Sequence, residues 1–363
     1  MGRDDDPVSA DGRRPDLASN RHRREPRLTM TDIATTEPAA TRPAPPRHVL
    51  ALTAAIGAIG AGALIAATIQ SSLMMTLLTQ AIITGILATG VGFLIRQNGV
   101  VSFGHAAFYG IACYAIALAM KLGAMRVEFA IMLALLLPTA LAFLLGLVIV
   151  RIPGVAFSML TLAVGQAFYE FAMKARHVTG GEDGFSVRLP STIFGIPTTM
   201  FQNPHSMFVV SWSVLVLIVL GLALVAASPF GRLTVAIREN EERARYIGYQ
   251  TTLPRVLVLT LSAFVTAIAG VLFTLYNTFV SPDVLHWTLS GSALIMAIIG
   301  GPRLIWGPAL GAIIFFFTKD IAGDVTEHWQ GIIGVILIVV MLVLPIGLGG
   351  ALAKLWQRRS GHG

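Results

Sequence analysis

The run Leu73-Met-Met-Thr-Leu-Leu-Thr-Gln-Ala-Ile-Ile-Thr-Gly-Ile-Leu-Ala-Thr-Gly-Val-Gly-Phe-Leu-Ile95 contains no charged side chain. As a helix rising 1.5 Å per residue, it is long enough to cross about 30 Å of hydrocarbon. In lipid a helix bonds its own backbone within one segment, which a lone strand cannot do. Comparable apolar runs lie at Val49–Ile69, Phe103–Met120, Phe129–Val150, Val155–Met173, Met207–Ala227, Val256–Phe279, Leu289–Gly300, Leu304–Thr318 and Gly331–Leu348. The fold class expected is all-α, a polytopic integral membrane protein of about ten transmembrane or re-entrant helices. The short pair flanking Gly300-Gly301-Pro302 is the candidate for re-entrant or broken helices.

Composition agrees. The 363 residues are 55% hydrophobic and 12% charged, about half the charge of a soluble domain, and the mean hydropathy is +0.74. The net charge of +7 reads as basic loops on the cytoplasmic side of a membrane rather than a nucleic-acid surface. The single cysteine, Cys113, can form neither an internal disulfide nor a multi-thiolate metal site.

Residues 1–47 are rich in Arg, Asp, Pro and Thr and have no apolar periodicity, which predicts a disordered cytoplasmic tail rather than a signal peptide. Residues 48–350 are expected to form the membrane-spanning domain and 351–363 a second cytoplasmic tail. Starting inside and alternating, Arg96, Arg151, the loop 228–255, Arg303, Lys354, Arg358 and Arg359 fall inside. Asp283 and an acidic turn of Asp320, Asp324 and Glu327 fall outside. Lys121, Arg126, Lys174, Arg176 and Arg188 break the pattern.

One polar stretch interrupts the apolar chain: Ser228-Pro-Phe-Gly-Arg-Leu-Thr-Val-Ala-Ile-Arg-Glu-Asn-Glu-Glu-Arg-Ala-Arg-Tyr-Ile-Gly248. Ser228 reads as the cap of a helix beginning at Pro229 and closing at Gly248. Leu233, Ala236, Ile237, Asn240, Ala244 and Ile247 recur at helical spacing as a mild apolar face. Glu239 with Arg243, and Glu241 with Arg245, are spaced for ion pairs. Such a helix fits either a docking element for a cytoplasmic partner or one lying on the membrane surface.

The pattern Ser228-Pro-Phe-Gly-Arg232 with Ala236-Ile-Arg-Glu-Asn-Glu241 resembles the cytoplasmic coupling loop of ABC importer permeases, specifically the branched-chain amino acid family. Gly99-Val-Val-Ser-Phe-Gly-His-Ala-Ala-Phe108, Pro153-Gly-Val-Ala-Phe-Ser-Met-Leu-Thr-Leu162 with Thr179-Gly-Gly-Glu-Asp-Gly184, and Val280-Ser-Pro282 with Gly300-Gly-Pro-Arg-Leu-Ile-Trp-Gly-Pro-Ala-Leu-Gly311 are similar to that family in the same order. Gly301-Pro-Arg303 departs from it, since an uncharged, glycine-rich turn is expected there. The resemblance covers roughly Thr76 to Gly350. It implies a second homologous permease subunit, two cytoplasmic ATP-binding subunits and a periplasmic substrate-binding protein. It also implies ATP and Mg in those partners, no cofactor or metal in this chain, and the bacterial inner membrane. No G-x-x-x-x-G-K-[ST] phosphate loop is present, consistent with ATP being bound elsewhere.

The coupling-loop candidates are Ser228, Pro229, Gly231, Arg232, Ala236, Arg238, Glu239, Asn240, Glu241 and Gly248. Pathway candidates are Ser102, His105, Ser158 and Thr161, each with an alternative as a hydrogen-bonded structural group. Gly180, Gly181, Glu182 and Asp183 are candidates for external docking, or a solvated turn. Glu170 reads as the partner of Lys174. Trp287, Trp306, Trp329 and Trp356 read as an interfacial belt. Rival classes are an ion-coupled transporter, which usually needs buried mid-span ionisable groups, and an enzyme, for which no H-E-x-x-H or G-x-S-x-G occurs. Substrate alternatives within the resembling family are urea, short amides, sugars and nucleosides.

Overall fold

The computed structural model describes residues 47–123, 125–325, 328–343, 347–351 and Lys354. The N-terminal tail, Glu327, Trp356, Arg358 and Arg359 lie outside the described residues. Each of the ten apolar runs is a helix: α1 (Arg47–Thr68), α2 (Ser72–Asn98), α3 (His105–Leu122), α4 (Val127–Ile149) and α5 (Gly154–Lys174). After the short α6 (Arg176–Thr179) and α7 (Thr199–Gln202) come α8 (Pro204–Ala227), then α9 (Pro229–Glu239) and α10 (Glu241–Tyr246) in the polar stretch. The chain continues through α11 (Thr252–Asn277), α12 (Trp287–Gly300), α13 (Gly307–Val325) and α14 (Trp329–Val343). Among the described residues, α2, α3, α4, α5, α8 and α11 are long and apolar enough to span a bilayer. The only strands among the described residues are two-residue pairs, Phe185–Ser186 with Phe279–Val280 and Thr192–Ile193 with Ile196–Pro197, both antiparallel.

Burial sorts the helices. α2, α3 and α11 are mostly enclosed, while α4, α5 and α8 keep most of their surface open. The open face of α4 is Phe129, Met132, Leu133, Leu136, Leu137, Leu144 and Val148, a surface whose natural solvent is lipid. The centre is close-packed because small residues let backbones meet. A Cβ at Gly90 of α2 would lie 2.9 Å from the Ser262 carbonyl oxygen of α11, and one at Gly311 of α13 would overlap the Met296 carbonyl of α12.

Two linkers dip into the bundle. His105, the first residue of α3, bonds through Nε2 to Ser262 Oγ at 2.7 Å, and Ser262 donates to Gly90 O at 2.6 Å. Gly90 lies eight residues before the end of α2, so α3 begins about 12 Å inside that end. Residues 99–104 are therefore non-helical backbone at depth, which is tolerated because protein surrounds them. Residues 278–286 dip from the other side: Ser290 Oγ, in the first turn of α12, accepts from Ala106 N at 2.7 Å. α12 is short because it starts halfway down. The membrane-depth interruptions are thus these two linkers. The Gly300–Gly301–Pro302 turn instead sits at the helix ends, where Arg96 donates to the Arg303 carbonyl.

The run read as Leu304–Thr318 begins at Gly307, because Leu304 N and Gly307 N close successive turns onto Gly301 O and Leu304 O. It then continues to Val325, so Asp320 and Asp324 lie on a helix and not in a turn.

Candidate functional site: the α9–α10 elbow

α9 starts where the sequence places it. Ser228 Oγ accepts from Gly231 N at 3.2 Å and donates to Val225 O at 2.6 Å, with Pro229 at the first helical position. A side chain at Gly231 would strike the last turn of α8, within 2.6 Å of Ala226 Cα. The covered face of α9 is Gly231, Thr234 and Ile237, at i, i+3 and i+6. Thr234 Oγ1 donates to Gln97 Oε1 of α2 at 3.0 Å, and the Arg238 guanidinium donates to the Arg96 carbonyl. α9 is thereby tied to the end of α2, the most enclosed long helix.

The expected single helix to Gly248 does not form. Asn240 is extended (φ −156°, ψ 98°), ends α9, and caps α10 by accepting from Arg243 N at 2.8 Å through Oδ1. It is exposed and is not part of an apolar face. Ala236 and Ile247, expected on the covered side, are exposed, and Leu233 is half-buried. Glu239 approaches Arg238 at 3.7 Å rather than pairing with Arg243. Gly248 follows α10 with φ 95°, a left-handed value suited to glycine.

Glu241 explains the break. Its carboxylate accepts from Arg245 at 2.6 Å, Thr251 at 2.8 Å and Arg255 at 2.7 Å. Thr251 immediately precedes α11 and Arg255 lies in its first turn, so α10 must turn back toward it. Partial burial works to raise the Glu241 pKa, but the Thr251 hydrogen bond and the Arg255 and Arg245 charges outweigh it and hold the pKa below the usual value. Asn98 Nδ2 donates to Arg255 O at 2.9 Å, closing a ring of contacts through α2, α9, α10 and α11.

The outer side of the elbow presents Arg232, Ala236, Glu239 and Arg243, then Tyr246, Ile247 and Tyr249, with Tyr246 90% exposed. Sequence reasoning put Ile247 on the covered face and missed Tyr246 and Tyr249 beside it. It also missed Thr234, although Thr234 stands in register with Gly231 and Ile237.

The four pathway candidates meet around residues 99–104. Ser158 Oγ donates to Val101 O at 2.7 Å, and Thr161 Oγ1 accepts from Phe103 N at 3.2 Å. Ser102 Oγ accepts from Gly104 N at 3.3 Å, and His105 bonds Ser262. All four make hydrogen bonds within the protein. At the opposite end of α5, Glu170 pairs with Lys174 at 3.8 Å. Beyond it Gly180 and Gly181, both at positive φ, lead into a 3-10 turn that exposes Glu182 and Asp183. No group of three or more His, Cys, Asp or Glu among the described residues is placed to hold a metal ion.

The family described as branched-chain amino acid transport system / permease component matches residues 73–342. The chain belongs to this family. It is 26% identical over 279 residues to the high-affinity branched-chain amino acid transport system permease protein LivM of Salmonella typhimurium, a match covering 71% of this chain and 66% of that protein. LivM of Escherichia coli K12 matches with the same identity and coverage. The autoinducer 2 import system permease protein LsrC of Klebsiella pneumoniae is 30% identical over 151 residues, covering 39% of this chain and 44% of LsrC. No solved structure matches. The permease is therefore a multi-pass membrane protein of a transport family, and it spans about two thirds of the LivM proteins' length.

Proposed function

We propose that this permease is the translocating subunit of an ATP-driven ABC importer for branched-chain or similarly small amino acids, with the α9–α10 elbow as its ATPase-coupling element. In this reading two ATP-binding subunits dock on the elbow, and a second permease completes the pathway. A periplasmic binding protein delivers substrate near Gly180, Gly181, Glu182 and Asp183. Both tails and the loop 228–255 face the cytoplasm of an inner-membrane protein. ATP and Mg are held by the partners.

The observation that carries the reading is the two-sidedness of the elbow. One side is fixed to α2 through Thr234 and Arg238 and to α11 through Glu241. The other offers Arg232, Glu239 and the Tyr246–Tyr249 surface with nothing packed on it from the described chain. A push on such an element is passed to the central helices rather than absorbed locally. Ser228, Pro229, Gly231 and Asn240 shape it, and Ala236 leaves room for close approach.

Co-purification from detergent tests this. The wild-type chain is expected to bring down an ATP-binding subunit and a second permease, and Arg232→Glu with Glu239→Arg to lose the ATP-binding subunit. Retention of that subunit by the double variant would refute the docking role.

A further inference from the structure

The clefts between α1, α8 and α13, between α3, α4 and α5, and between α8 and α11 have almost wholly hydrocarbon walls. The first, of about 440 Å³, leads at the elbow end to a turn that carries unneutralised arginines. We propose that it holds an acyl chain of an anionic phospholipid from the elbow-side leaflet, with the headgroup phosphate at Arg303.

The cleft has the reach of one leaflet. Its walls on α8 run from Trp212 to Ala223, which are 223 − 212 = 11 residues apart, about 17 Å along the helix. Half of the hydrocarbon thickness is about 15 Å. Trp212 Nε1 donates to Ala58 O at 2.8 Å and ties α8 to α1 at the deep end. At the other end stand Ala223, one turn before α8 ends at Ala227, and Trp306, immediately before α13 and 40% exposed. An indole so placed marks the level of the headgroups.

The charges at that end lack an anion. Arg303 lies three residues before Trp306. Its side chain is exposed and, among the described residues, makes no hydrogen bond or ion pair. The Arg96 guanidinium donates to the Arg303 carbonyl, and its Nε is buried without a hydrogen-bond partner. Arg238 donates in turn to the Arg96 carbonyl, and its ion pair is a loose one, with Glu239 at 3.7 Å. Three arginines therefore meet with one weakly held carboxylate. A phosphate diester supplies the missing negative charge, and basic groups between helices at a membrane face recognise such headgroups. Arg303 also stands where the family's turn is expected to be uncharged, so its charge is not something the turn itself requires. A lipid bound here would brace the turn to which α9 is tied through Arg96 and Arg238.

The test is native mass spectrometry of the full-length chain in detergent, titrated with phosphatidylglycerol and phosphatidylcholine of identical acyl chains. Phosphatidylglycerol is expected to bind at least about fivefold more tightly. Arg303→Gln keeps the backbone carbonyl that Arg96 uses. It should remove most of that preference and leave phosphatidylcholine unchanged, while Arg303→Lys should retain the preference. Arg126→Gln removes the same charge at the opposite end of the bundle and should change nothing. Ala223→Trp fills the slot and should weaken both lipids. Millimolar inorganic phosphate should displace neither. Equal binding of the two lipids, an equal effect of Arg303→Gln and Arg126→Gln, loss of both lipids in Arg303→Gln, or unchanged binding in Ala223→Trp would overturn the proposal. So would displacement by phosphate, which would show an anion site without a chain slot, or a lipid-free dimer, which would give this face to a second copy.

Discussion

Removing Glu241 should loosen α10 and leave α9 in place. Glu241 makes three contacts of unequal worth. The pair with Arg245 is largely exposed and contributes a few tenths of a kcal/mol. The bond from Arg255, whose side chain is 14% exposed, contributes about 1 kcal/mol after discounting for solvent. The Thr251 hydroxyl adds about 0.5–1 kcal/mol. Glu241→Ala therefore removes about 2 kcal/mol of local stability, a factor of about 30 in the opening equilibrium. Hydrogen–deuterium exchange reads this directly. The amides of Ala244, Arg245 and Tyr246 should exchange about 10–30 times faster, whereas those of Thr234 and Ile237, tied separately through Gln97, should not change. Glu241→Gln should fall between. Unchanged α10 exchange would refute the tether, and equal loosening of α9 would refute the independence of the two ties.

The same carboxylate sets a pH window. Its folded pKa is held below the usual value, so its stabilisation is full above the unfolded carboxylate pKa and is lost as pH falls through the lowered folded one. α10 exchange measured against pH should stay protected from neutral down into the ordinary carboxylate range and rise below it, and Glu241→Gln should abolish that dependence. Thr234→Val leaves the buried Gln97 oxygen without its donor and should lower thermal stability by about 1–2 kcal/mol in a detergent melt. Gly90→Val forces a side chain against Ser262 and should cost about 1–3 kcal/mol, seen as reduced monodisperse yield on size exclusion.

Much of this architecture was legible in the chain, because lipid leaves little choice. A charge-free run such as Leu73–Ile95 has to be a helix, and each apolar run is one. The cap at Ser228 and Pro229 was equally readable, since its chemistry is local. The break at Asn240 was not, because helical periodicity continues smoothly through it. It is set by Glu241 reaching Arg255, fourteen residues on and in another helix. α12 could be seen to be short, but its reason, a start beside Ala106 in mid-bundle, is tertiary. α13 was cut short for the opposite cause: Lys319, Asp320 and Asp324 lower hydropathy without ending a helix. The pathway candidates Ser102, His105, Ser158 and Thr161 do converge, each hydrogen-bonded around residues 99–104 and the start of α3, with His105 Nδ1 left buried without a hydrogen bond.

Reconstituted transport is the most direct test of the importer reading. Liposomes containing the co-purified assembly should accumulate labelled leucine only with ATP and binding protein, the chain alone should accumulate none, and Arg232→Glu with Glu239→Arg should abolish ATP-driven uptake. Accumulation by the lone chain driven by a proton or sodium gradient would contradict the account.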